Sequence, residues 1–176
     1  MKQFKRFLAL VLVGVLALTV LTGCGGMNSS EFGAKAEKEI LSAVNSLRTE
    51  NSVPLTNDSE LKAKCEDALT HVTAEGKIPL GYARQQEVNR TTRTVIAIGV
   101  ETEKSYKFDE INSTNRNTMV DALAITPDEL ATYAAHIRQD NDKDFYNSLS
   151  GFAVATRTIN GKTYLAMAMK VTVAKK

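Results

Sequence analysis

FAVATRTI (152–159), NG (160–161) and KTYLAMAMKVTV (162–173) stand near the end of the chain, and their reading decides the fold. Asn160-Gly161 is the pair that suits a type I′ turn, in which both central residues take positive φ and the turn follows the twist of its strands. The stretch therefore predicts a β-hairpin of residues 152–159 against 162–173. In the second strand Leu165, Met167, Met169, Val171 and Val173 fall on one face. Ala166 and Ala168 fall on the other, where they leave room for a closely packed helix. The methionines read as core filler rather than as a metal or redox site.

Working back from the hairpin, Gly151 lets the chain turn out of a short helix within 140–148. Thr126-Pro127-Asp128-Glu129 is a helix start. Thr126 caps, Pro127 takes the first position and Glu129 returns a carboxylate to the cap. Leu130, Tyr133, Ala134 and Ile137 then form an apolar stripe. Residues 118–124 suggest a short helical turn. Residues 101–118 are polar apart from Tyr106, Phe108 and Ile111, and fit either a short edge strand through 105–108 or a long loop. The β-branched run 94–100 reads as a buried strand. Residues 76–94, with Pro79, Gly81, Arg84, Arg90 and Arg93, read as a solvated loop, or as a contact for anionic headgroups.

Two amphipathic helices precede this region. The first covers 34–50, with Ala36, Ile40, Val44 and Leu47 on one face, and ends before Pro54. The second starts at Asn57 or Asp58, either of which can cap it, and runs to Glu75-Gly76. Its apolar face is Leu61, Cys65, Ala68, Leu69 and Val72, with His71 beside it.

The N-terminus has a different character. Lys2, Lys5 and Arg6 precede an apolar run, 7–21, that is shorter than the roughly 20 residues of a spanning helix. Leu21-Thr22-Gly23-Cys24 follows and resembles the lipobox of bacterial lipoproteins. There the cysteine thiol takes a diacylglycerol and becomes the new N-terminus. Two acyl chains hold stably where one holds marginally. The resemblance thus implies lipidation at Cys24, a membrane partner, and an extracytoplasmic location on the bacterial cell membrane. Cleavage before Cys24 leaves 153 residues and removes three cations, turning a net charge of +2 into −1. A near-neutral domain of that size has one core and no basic stripe for nucleic acid. With Cys24 lipidated, Cys65 has no disulfide partner and reads as a small buried hydrophobe.

Ala43-Val44-Asn45-Ser46-Leu47-Arg48 has the form A-x-N-x-x-R, and Pro54-Leu55 and Leu61-x-x-x-Cys65 follow it. This resembles the first two helices of the CAP superfamily, or SCP-like domains. The run 93–99 has the length and ending of that family's G-E-N-I-A-x-G strand, without its Gly, Glu and Asn. The resemblance implies an α+β fold: a CAP-like three-layer α-β-α sandwich whose mainly antiparallel sheet ends in the C-terminal hairpin. It makes Asn45, Arg48, Pro54 and Leu61 structural motif positions. Residues 1–23 are then a lipoprotein signal peptide, 24–33 the lipidated cysteine and a flexible tether, and 34–176 the CAP-like domain.

The family's cleft presents two His and two Glu, a set suited to a divalent metal. Residues 72–135 contain no histidine, and Thr94 stands where the strand motif carries Glu. His136 is the single weak candidate for a catalytic position, and no metal or cofactor is expected. The chain has no G-x-S-x-G elbow, Walker-type loop or H-E-x-x-H helix. The pairs Glu66-Asp67, Asp109-Glu110 and Asp128-Glu129 read as solvated or capping charge. Asn-x-Ser/Thr triplets at Asn28, Asn57, Asn89 and Asn112 are taken as chance composition behind a bacterial signal. The expectation is a non-catalytic, lipid-anchored envelope module with a lipid, cell-wall or protein ligand. The alternatives are a hydrolase of peptide or cell-wall substrates, with His136 or His71 beside two acids, and an envelope lipoprotein unrelated to CAP.

Overall fold

The computed structural model describes residues 29–50, 52–101 and 108–172. The signal peptide, Cys24, Tyr106 and Val173 lie outside the described residues. The elements in order are α1 (Ser29–Ser46), α2 (Ser59–Thr70), β1 (Lys77–Pro79), the helical turn α3 (Leu80–Ala83), β2 (Arg84–Val88), β3 (Thr92–Ile98) and β4 (Val100–Glu101). A 3₁₀ turn at Phe108–Glu110, β5 (Met119–Ala122), α4 (Pro127–Arg138), α5 (Lys143–Ser148), β6 (Leu149–Ile159) and β7 (Lys162–Thr172) follow. The fold is α+β. A four-stranded sheet has the order β2-β3-β7-β6, a three-stranded one the order β1-β5-β4, and all pairings are antiparallel.

The hairpin β6–β7 is the spine. Ile159 pairs with Lys162 across Asn160 (φ 49°) and Gly161 (φ 76°), so both turn residues adopt the positive φ that a type I′ turn demands. Two helix layers cover the two faces of the sheet. On one face, Phe152, Val154, Leu165, Met167, Met169 and Val171 pack against α1, α4 and α5. On the other, Ala153, Ala155, Ala166 and Ala168 meet α2 and the small sheet. The alanines leave space that Leu61, Cys65, Ala68 and Leu69 of α2 fill, all of them buried. Gly151 lies inside β6 beside a bulge rather than at the chain turn. A Cβ there would stand 3.1 Å from the Leu61 side chain, so its role is close approach of α2.

Several elements differ from the sequence reading. Helix α1 starts at Ser29, not at residue 34, because Phe32 is buried in the core and anchors an additional turn; residues 29–33 are therefore helix, not tether. Helix α2 stops at Thr70, with His71 as its C-cap and Asp58 accepting from the Leu61 amide at the other end. Residues 77–88 are not a loop: β1, α3 and β2 occupy them. Residues 119–122 form β5 rather than a helical turn, since Val120 points inward between exposed Met119 and Asp121. The strand 94–100 breaks at Gly99, with β3 in one sheet and β4 in the other. Helix α4 has the full capping box at Thr126 and Glu129.

Candidate binding cleft

Asn45 and Arg48 sit at the end of α1 and fasten the chain that follows it. Asn45 donates through Nδ2 to the Leu55 carbonyl and accepts from the Leu55 amide, both at 2.8 Å, as a strand partner would. Arg48 donates through Nη1 to the carbonyls of Tyr146 (2.5 Å) and Leu149 (3.1 Å), and through Nη2 to that of Val53 (3.2 Å). The guanidinium fork thereby joins the end of α1 to the α5–β6 junction, and partial burial holds its pKa below the usual value. Pro54 is exposed between these two anchors, while Leu61 is buried under the sheet. Asn45 and Arg48 thus act on backbone, and Leu61 on packing.

The two histidines are not brought together. His71 stacks on Tyr82, ring centroids 3.4 Å apart and planes 13° from parallel, on the α2 side of the sheet. His136 is on α4, on the opposite side, exposed, with Nδ1 3.0 Å from the Thr132 carbonyl of its own helix. Among the described residues no three His, Cys, Asp or Glu side chains gather closely enough to share a metal ion. Cys65 is fully buried, and that burial, more than nearby Glu66, pushes its thiol up to about 12. A thiol so protonated is a poor nucleophile at neutral pH.

The arginines of 76–94 separate in the same way. Arg84 is 3 % exposed and lies beneath α4, in a cross-strand row with Ala97, Met167 and Val154. Its Nη1 donates to the carbonyls of Ala83 and Ile98. Burial lowers its pKa to about 10, against the opposing influence of nearby Tyr133. Arg90 is exposed in the β2–β3 turn. Since Thr92 pairs with Thr172 and Ile159 with Lys162, that turn lies at the far end of the sheet from Asn160-Gly161. The start of α1 lies towards the Asn160-Gly161 end, with Gly33 against Thr156. The Arg90 turn and the start of α1 therefore lie at opposite ends of the sheet.

A cleft opens along β6, an edge of the main sheet. It has a volume of about 500 Å³ and is lined by Ser30, Gly33, Ala34 and Glu37 of α1, Lys62 of α2, and 156–158 of β6. At its closed end Asn57 mimics a strand. Its Oδ1 accepts from the Val154 amide at 2.9 Å and its Nδ2 donates to the Val154 carbonyl at 3.0 Å, while the Asp58 amide donates to the Phe152 carbonyl. Glu37 from one face and Lys62 from the other meet around this edge at 2.7 Å. Beyond Asn57 no main-chain group meets this edge among the described residues. Spacing alone does not reveal this cleft, because its α1 and α2 residues lie far along the chain from those of β6.

No protein-family model, no curated protein and no solved structure matches the chain. No helix among the described residues is long and apolar enough to cross a membrane.

Proposed function

We propose that the chain is a lipid-anchored, extracytoplasmic protein of the bacterial envelope, a non-catalytic binding or interaction module on a degenerate CAP-like three-layer α-β-α scaffold. The observation that carries this reading is the pair of backbone ties made by Asn45 and Arg48. They tie the end of α1 to the backbone of the segment after it and of the α5–β6 junction, on a sheet with helices against both faces, and this supports reading them as structural positions. The engagement of His71 with Tyr82 and of His136 with its own helix favours binding over catalysis at the imidazoles. The open cleft along β6 is the site we assign to the ligand. Cys24 supplies the anchor and the membrane is the first partner.

The test has two parts on one expressed chain. Cells fed labelled palmitate should yield a labelled band in the membrane fraction, lost from Cys24→Ala, whose product should be released in soluble form. The purified protein should take up no stoichiometric zinc. Wild-type protein found unlabelled in the cytosol would overturn the anchored reading. Stoichiometric zinc lost on His136→Ala would restore the hydrolase alternative.

A further inference from the structure

Among the described residues the edge of β6 is covered only over part of its length. Val154 directs both its amide and its carbonyl away from β7, to Asn57. By the alternation of an antiparallel pair, Thr156 and Thr158 turn theirs the same way. Among the described residues no main-chain group meets them there. The hydroxyl of Thr158 pairs across the hairpin with that of Thr163, not with its own outward main-chain groups. The flanks are small on the α1 side, where Ser30, Gly33 and Ala34 line the cleft. Between the two open rungs stands Arg157, exposed and in no ion pair among the described residues.

Two occupants can be weighed. A second copy, paired antiparallel about a two-fold axis at these rungs, would set Arg157 directly opposite the other copy's Arg157, an unfavourable like-charge pair. A foreign strand with a carboxylate at that position meets the opposite charge instead, and gains main-chain bonds from both rungs.

We propose that Thr156 and Thr158 accept an extended segment of a partner protein as a fifth strand of the main sheet, with an Asp or Glu of that segment opposite Arg157. The inference rests on the assignment of the cleft as a binding site, and adds strand addition and an acidic partner to it. Asn57 and the Glu37–Lys62 pair stop the incoming strand at one end, and the hairpin turn ends it at the other. The bound stretch is therefore short, and the acidic contact supplies its selectivity.

The experiment uses the full chain, purified in detergent and isotope-labelled, with two capped heptapeptides of alternating valine and threonine, one with a central glutamate and one with glutamine. Amide shifts on addition of the glutamate peptide should centre on residues 156–158. Affinity should fall about tenfold for the glutamine peptide or for Arg157→Glu, and Arg157→Glu should now favour a lysine-centred peptide. Thr158→Pro removes one outward N–H at an edge, where proline is tolerated. It should abolish binding while the unfolding midpoint stays within a few degrees. Shifts elsewhere, equal affinity for both peptides, or unchanged binding by a folded Thr158→Pro would overturn the proposal. So would concentration-dependent dimerisation through the same amides without peptide. Those results leave palmitate labelling and zinc uptake untouched, so failure here is distinct from failure of the anchored, non-catalytic reading.

Discussion

Asn45 and Arg48 show what single residues can reveal in advance. Both read as structural positions in the A-x-N-x-x-R stretch that ends an amphipathic helix, and they bond the carbonyls of Val53, Leu55, Tyr146 and Leu149. Arg84 shows the converse. In a polar run it read as solvated, yet it lies under Tyr133 because β2 is an edge strand with α4 above it. A buried arginine satisfied by carbonyls leaves no mark in local sequence. Cys65 gives a prediction at this scale. Its folded thiol titrates near 12 rather than near the unfolded 9.0. Above pH 9 the unfolded chain loses this proton and the folded chain keeps it, so folding stability is complete below pH 9 and falls as pH rises towards 12. The slope from this group is about 1 kcal/mol per pH unit. Denaturant melts at pH 8, 9 and 10 should show Cys65→Ala losing less stability across the series than wild type. Parallel curves would exclude this role for the thiol.

Helix α1 carries the lesson at the scale of the element. Its apolar face, Ala36 to Leu47, was legible from period alone; its true start was not, because Ser29 to Gly33 is a composition typical of linkers. The turn forms because Phe32 finds a place in the core and Gly33 allows the helix to lie on β6. A Cβ on Gly33 would stand 2.5 Å from the Thr156 hydroxyl. Gly33→Ala alone should therefore destabilise the protein by about 1–2 kcal/mol through overpacking. In a Thr156→Ala background the clash is gone, and the same change should become neutral or stabilising, since alanine exceeds glycine in a helix by up to about 1 kcal/mol. A double-mutant cycle by urea unfolding reads the coupling. Additive effects would mean that α1 does not press on β6 at this point. Strand β5 was missed for a related reason: a four-residue alternation with one buried member, Val120, is too short to distinguish from a helical turn without its partners β1 and β4.

At the scale of the whole molecule, the sheet is asymmetric. One face is built from large side chains, Phe152, Leu165, Met167 and Met169, and receives three helices. The other is built from alanines and receives one helix and the small sheet. The two faces should therefore respond differently to added volume. Ala168→Leu, buried against the α2 side, should cost about 1–3 kcal/mol by overpacking, whereas Met167→Leu on the larger face should cost less than about 1.5 kcal/mol. Chemical denaturation of the two variants tests this, and equal tolerance would contradict close contact between α2 and β7. The same asymmetry positions the cleft: α1 and α2 flank one edge from opposite faces, and Glu37 and Lys62 reach round it to meet.

The hairpin, the apolar faces of three helices and the capping box of α4 followed from sequence alone, because each depends on neighbours within about one turn or across a two-residue loop. The division of strands between two sheets, the burial of Arg84, the separation of His71 from His136, and the open rungs at Thr156 and Thr158 were decided only in three dimensions. Each of these depends on which distant segment arrives alongside, and local periodicity does not encode that arrival.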